Sequence, residues 1–325
     1  MKRYLRFEKY CLASHCHKYK QLYLGDESMS LNESICKIRF KYLCDFFCDI
    51  KTYPYALIKG EALSILAYQQ PSARNLGDID ILSTSKNLNA LTNFLKKTNF
   101  YPIKSSREEH VMMISTSHQI KPWTRDIQPW GRIEIDLNFD IFWGEYEGKR
   151  IDIEKFLSDT MEIEIYGVKV KTLPPIKAMI RLVLHHYKDM NSLFLLATRK
   201  SIRYDMFKDV YYLLKNNLDV IPLDKLYAMS AEYEIIPYVF YVLYYTGQIF
   251  DDDVLKQYIE AFRTPEGDAL LNCYGLCEKE RREWKCDFKT RLDSDHLYEL
   301  IKDDLTERDK EKIAINKRIF LGISE

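Results

Sequence analysis

Apolar positions along the chain follow two different periods, and the change from one to the other divides it. Over residues 31–50, Ile35, Ile38, Tyr42, Phe46 and Ile50 recur every three or four positions, which predicts a helix. Ser30, with Glu33 three residues on, gives a capping-box pattern at its start. Residues 1–25 are expected to be helical as well. Past the Tyr53-Pro54 break, the apolar run Tyr55 to Ile58 predicts a short buried strand, and Gly60 lets the backbone turn tightly into a helix at 61–69. Pro71 and Asn75-Leu76-Gly77 mark a loop before a strand at 78–83. Asn87 caps a helix carrying Leu88, Leu91 and Leu95 on one face, and residues 100–104 and 110–114 read as strand-like. From Arg132 to Phe139 polar and apolar residues alternate without a break, the pattern of a half-buried strand. Glu134, Asp136 and Asn138 share its polar face. Met161 to Val170 alternates too, with Tyr166-Gly167 as its turn.

After Pro174-Pro175 the helical period takes over, with segments at 176–188, 204–216, 223–233, 237–246 and 252–262. Residues 266–290 are less regular, and 293–320 are highly charged. The expected class is α+β. A helical N-terminal segment (1–50) precedes a core with a small mixed β-sheet flanked by helices (51–173), and a helical C-terminal domain (174–325) follows. No repeat of fixed period interrupts this plan.

Composition narrows the class of partner. The 325 residues are 46% hydrophobic and 30% charged, which suits a soluble globular protein. Lys plus Arg equals Asp plus Glu at 48 each, so no global attraction to a nucleic acid or an anionic membrane is expected. No apolar run approaches the roughly 20 residues that span a bilayer. The basic N-terminus lacks the apolar stretch of a secretory signal. The eight cysteines therefore read as reduced thiols of a cytoplasmic protein. Cys11, His15, Cys16 and His17 resemble zinc ligands only superficially, since no second pair follows at finger-like spacing.

The chemistry concentrates at residues 55–82. Asp78 and Asp80 are two apart in an expected strand, so both side chains face one way. Carboxylates so placed repel unless a cation lies between them, and Mg²⁺ or Mn²⁺ with substrate phosphates is the natural occupant. A third carboxylate on a later strand would complete a two-metal site; Asp136 is the candidate and Glu134 its rival. Lys59-Gly60, between a strand and a helix, offers an anion site at the helix N-terminus. Arg74, four residues before Asp78, could reach phosphate oxygens. Lys177 and Arg181, four apart on one helical face, form either a phosphate clamp or a solvated stripe. Trp123 and Trp130 suit core or lid packing better than stacking on an acceptor, and His185-His186 suit a structural role.

The series Ile58-Lys59-Gly60-Glu61-Ala62-Leu63, Arg74 and Gly77-Asp78-Ile79-Asp80-Ile81-Leu82 resembles the nucleotidyltransferases of the DNA polymerase β superfamily. More narrowly the chain is similar to the uncharacterised nucleotidyltransferase group, relatives of the abortive-infection toxin nucleotidyltransferases. Leu184-His185-His186-Tyr187-Lys188-Asp189 and Phe207-Lys208-Asp209-Val210 extend the resemblance, which covers about half the chain, residues 51–216. It implies that Asp78, Asp80 and Asp136 bind Mg²⁺ and that Gly60 lies near the triphosphate. It also implies second-tier contacts from Lys177, Arg181, Lys188 and Asp209. The chain departs from the superfamily at Glu61, where the usual turn has a phosphate-binding Ser.

The implied activity is transfer of an NMP from an NTP, with ATP the commonest donor, to a hydroxyl or phosphate on a small molecule, a protein or a tRNA. Pyrophosphate would be released. Two alternatives stand beside it: a catalytically inactive protein that binds a nucleotide or a partner on the same scaffold, and a phosphotransferase that moves the γ-phosphoryl group.

Overall fold

The computed structural model describes residues 30–74, 77–104, 106–143, 151–198 and 201–321. The helix expected over residues 1–25 and the Cys11–His17 cluster lie outside the described residues. Helix α1 (Leu31–Ile50) starts at Ser30, whose Oγ accepts the Glu33 N–H at 3.2 Å. The strand–turn–helix unit follows as β1 (Tyr55–Leu57) and α2 (Gly60–Tyr68), and then come β2 (Ile79–Ser83) and α3 (Leu88–Lys97). Next are β3 (Tyr101–Pro102), α4 (Arg107–Thr116), β4 (Trp123–Asp126) and β5 (Arg132–Asn138). A short α5 (Ile153–Phe156) leads to the hairpin β6 (Met161–Ile165) and β7 (Val168–Thr172).

The helical half opens with α6 (Pro175–Asn191), α7 (Leu193–Thr198) and α8 (Tyr204–Lys215). It continues with α9 (Leu223–Glu232), α10 (Ile236–Gly247), α11 (Asp253–Phe262) and α12 (Pro265–Leu270). A two-stranded ribbon, β8 (Cys273–Tyr274) with β9 (Arg282–Glu283), precedes α13 (Phe288–Asp293), α14 (Leu297–Ile301) and α15 (Glu307–Asn316). No helix among the described residues is long and apolar enough to cross a membrane.

The first seven strands form one mixed sheet in the order β3-β4-β5-β2-β1-β7-β6, so the chain has the expected α+β architecture. β1 runs antiparallel to β2, whereas β2 and β5 are parallel, with Asp80 opposite Asp136. Side chains alternate across the sheet, and that alternation sorts the two faces. Ile79, Ile81, Ile133, Ile135 and Leu137 pack with Phe40, Phe46 and Phe47 of α1 and with Leu91 and Leu95 of α3. The opposite face carries Asp80 and Leu82, and Leu82 joins a second apolar cluster. This cluster runs from Ala56 on β1 through Leu63 and Leu66 of α2 to Met179 and Val183 of α6, Phe207 and Val210 of α8, and Phe240 of α10. The carboxylates therefore face the helical half because isoleucines one residue away along the same strands are committed to the other face.

The strand expected at 110–114 is instead part of α4. Ser106 and Glu109 form a reciprocal capping box, Oγ accepting the Glu109 N–H at 3.1 Å and Oε2 accepting the Ser106 N–H at 3.0 Å. The run Val111-Met112-Met113-Ile114 has no alternation of its own, and the cap decides for helix. Strand β2 also begins one residue later than expected, so Asp78 lies just ahead of it and only Asp80 is inside it.

Candidate active site

The turn from β1 to α2 forms one wall. Gly60 has φ +57°, a left-handed conformation costly for any residue with a Cβ. The nearest atom to a Cβ built there would be the Asp78 carbonyl oxygen at 3.9 Å, so the requirement is one of backbone conformation and not of space. The left-handed residue opens α2 with its first N–H groups free of intrahelical partners, a setting for an anion. Lys59 is the N-cap residue, and its Nζ lies 2.9 Å from Asp80 Oδ1. Glu61 turns away from this wall: its Oε1 accepts the Cys36 thiol of α1 at 2.8 Å. That contact and burial together push the Cys36 thiol well above its ordinary value, burial being the larger cause.

Asp80 and Asp136 lie within β2 and β5, and Asp78 just ahead of β2. Asp80 is 5% exposed, while Asp78 sits exposed at the mouth of the cleft. Asp78 is held above the usual carboxylate range by loss of surrounding water and by the Asp80 charge, with Lys59 and Arg39 opposing. Asp136 is raised much further, first by burial and then by Asp80 and Asp78. Its Oδ1 is buried with no hydrogen-bond partner, and its Oδ2 has only a distant Gln119 Nε2 at 3.5 Å. Glu134 lies two residues earlier on the same face, raised by burial and by Asp78. An orphaned, buried carboxylate oxygen beside two more carboxylates is the oxygen donor set a hard divalent cation takes, so Asp78, Asp80 and Asp136 fit Mg²⁺ or Mn²⁺.

The helical half supplies the facing wall. Arg74 grips Asp209 of α8 with Nε, at 2.9 and 3.0 Å from the two carboxylate oxygens, and with Nη2 at 2.7 Å from Oδ2. The Tyr68 hydroxyl donates to Asp209 Oδ1 at 2.7 Å, so the end of α2, the loop and α8 meet at one buried carboxylate. A cavity of about 380 Å³ opens between these walls. Lys59, Arg74, Arg203 and Lys208 line it as basic groups, and Asp78, Asp80, Asp189, Asp205 and Asp209 line it as carboxylates. On α6, His185 Nε2 is 3.3 Å from Asp189 Oδ2. Burial, followed by Lys59, Arg181 and Lys188, holds His185 well below its ordinary value, so the imidazole is neutral at pH 7.

The structure thus gathers Lys59, Gly60, Arg74, Asp78 and Asp80 around one cavity, with Asp136 directly beside Asp80 on the next strand. Lys177 is not part of it. Its Nζ bonds the Phe156 carbonyl at 2.8 Å and Asp159 Oδ1 at 2.5 Å, so the expected clamp with Arg181 does not form. Nor is the pair a solvated stripe, because both residues are buried. Arg181 lies behind the cavity wall, within electrostatic reach of Asp80 and Asp189. Trp123 packs into the apolar cluster on the far side of the sheet, with Trp130 against it.

Three contributors escaped the sequence pattern. Arg39 of α1 donates to the carbonyls of Gly77 at 3.0 Å and Arg132 at 3.1 Å, tying the approaches to β2 and β5 together. Arg203 and Lys208 reach the cavity from the start of α8. None has a local signal, because each acts across a long stretch of chain. The alternation that placed Asp80 and Asp136, and the Gly60 turn between strand and helix, could be read directly.

A family model described as an uncharacterised nucleotidyltransferase matches residues 47–251. A solved structure, described as an antigenic nucleotidyltransferase-like protein from Paracoccidioides brasiliensis, is similar at 13% identity with a TM-score of 0.38, over 76% of this chain and 95% of that one. That likeness is too loose to carry an inference of its own. No curated protein matches the chain. The family match covers the turn, the carboxylate strands and the helices that close the cavity, and the chain belongs to the uncharacterised nucleotidyltransferase family.

Proposed function

We propose that the protein transfers an NMP from an NTP, ATP being the first donor to test, to a hydroxyl or phosphate of an acceptor, with release of pyrophosphate. The observation that carries this reading is the register of β2 on β5, which sets Asp80 against Asp136 beside a cavity lined by both basic residues and carboxylates. Asp78, Asp80 and Asp136 would hold the divalent ions, which when bound supply charge neutralisation at the attacking and leaving oxygens. The protein's own groups have separate tasks. The first N–H groups of α2, opened by Gly60, receive phosphate oxygens. Lys59 and Arg74 offset phosphate charge in a partly desolvated cleft, where fixed charges act more strongly than in water. Glu61 faces α1, which keeps its carboxylate off the triphosphate.

The test is incubation with Mg²⁺ and each labelled NTP over a panel of small-molecule, protein and tRNA acceptors. Pyrophosphate release with a labelled acceptor is the expected result. Release of a nucleoside diphosphate would mark a phosphotransferase. Undiminished turnover in Asp78→Ala/Asp80→Ala would overturn the assignment.

A further inference from the structure

Beside the carboxylates the cavity has a second cluster of metal-ligating groups that nucleotidyl transfer does not use. His185, His186 and Asp189 line it from one helix, α6, and one donor atom from each lies within 4.8 Å of the others. The spacing i, i+1, i+4 places His185 and Asp189 on the same helical face, with His186 beside them. The two imidazole rings are 5.6 Å apart between centroids, close enough for both to reach one ion. His185 Nδ1 is buried without a hydrogen-bond partner, and His186 and Asp189 are 4% and 5% exposed.

We propose that His185, His186 and Asp189 form a binding site for a borderline divalent cation of the zinc class, separate from the carboxylate site. Two imidazole nitrogens and one carboxylate oxygen are a donor set suited to Zn²⁺, Co²⁺ or Ni²⁺, whereas Mg²⁺ prefers oxygen alone. Three protein ligands leave a coordination position toward the cavity, which water or a phosphate oxygen can fill. Bound at about 2.0–2.2 Å from each donor, the ion would draw the three atoms together by a modest side-chain adjustment. Lys59, Arg181 and Lys188 place positive charge nearby, so the affinity falls below that of a site without cationic neighbours.

The test is titration of the full chain with Zn²⁺ in excess Mg²⁺, followed by NMR of ¹⁵N-labelled histidine rings. The Mg²⁺ keeps the carboxylate site loaded, and the ring signals are blind to zinc held by cysteines. Expected are coupled shifts of the His185 and His186 ring nitrogens, saturating at one equivalent, and at least a tenfold weaker affinity in Asp189→Asn. Unmoved rings, or a response from only one of the two imidazoles, would overturn the proposal. The measurement on the unsubstituted protein does not depend on any variant folding. It also does not depend on turnover, so its failure and the failure of nucleotidyl transfer are told apart.

Discussion

Asp80 and Asp136 face each other across the parallel pairing of β2 with β5, and neither can change place without a register slip that would turn every isoleucine of its strand to the wrong face. The hydrophobic alternation of the two strands therefore enforces a concentration of negative charge. In the metal-free protein this is unfavourable. Asp136→Asn removes one charge at constant shape and should raise the melting temperature of chelated protein while abolishing Mg²⁺-dependent pyrophosphate release. A melting temperature lowered by several degrees would contradict the strain read from its surroundings.

The same carboxylates fix the sign of a pH effect. Asp136 and Asp78 are raised in the folded state, so the folded protein takes up protons at a pH where the unfolded chain remains ionised. Their destabilising effect is complete above their folded values and is relieved as pH falls through those values toward the unfolded carboxylate value of about 3.9. Chelated wild-type protein should therefore gain stability relative to Asp136→Asn as pH falls toward the unfolded value, and saturating Mg²⁺ should suppress the gain. Parallel thermal scans of the two proteins across pH, with and without Mg²⁺, measure it.

Arg74 is the partner that neutralises a carboxylate only 2% exposed, Asp209. Arg74→Ala leaves Asp209 with the Tyr68 hydroxyl and should cost about 3 kcal/mol, the low end for removing one member of a buried pair, because Arg74 is itself partly exposed. Asp209→Asn in the same background should cost much less than it does alone. Urea unfolding of the double-mutant cycle gives the coupling, and additive effects would mean the contact carries little energy.

Gly60 and Gly77 make a controlled comparison. Gly60→Ala forces a Cβ onto a left-handed backbone and should cost about 1–2 kcal/mol. Gly77 has open space around it and no left-handed φ, so Gly77→Ala should change stability by less than about 0.5 kcal/mol. Denaturant midpoints separate the two. NTP affinity should fall only for the first.

Glu61 bonds Cys36 and not the cavity, so Glu61→Gln should leave NTP affinity within about twofold of wild type. A tenfold change, read by calorimetry with Mg²⁺ present, would place the carboxylate among the ligand contacts.

Much of this was legible in the chain wherever one period ruled a segment. The alternation from Arg132 to Phe139 set Asp136 on a polar face, and Gly60 between a strand and a helix marked the turn. Side-chain direction on a crowded helix was not legible. Lys177 and Arg181 share a face by spacing, yet α6 is buried nearly all round, so one basic residue turns to Asp159 and the other toward Asp80. The 110–114 segment failed for a different reason: a short apolar run is ambiguous, and the cap upstream decided it. Long-range ties such as Arg39 to Gly77 leave no local trace at all.

Leu63 of α2, Leu182 of α6 and Met206 of α8 line the cavity and are at the same time members of the apolar cluster that joins the sheet to the helical half. The recess is thus floored by material shared between its two walls. Such a cleft cannot open like a jaw, because spreading it would pull apart close-packed side chains. Substrates enter a standing mould, admitted by rotamers and loop backbone, and little of their binding energy goes into closing the protein around them.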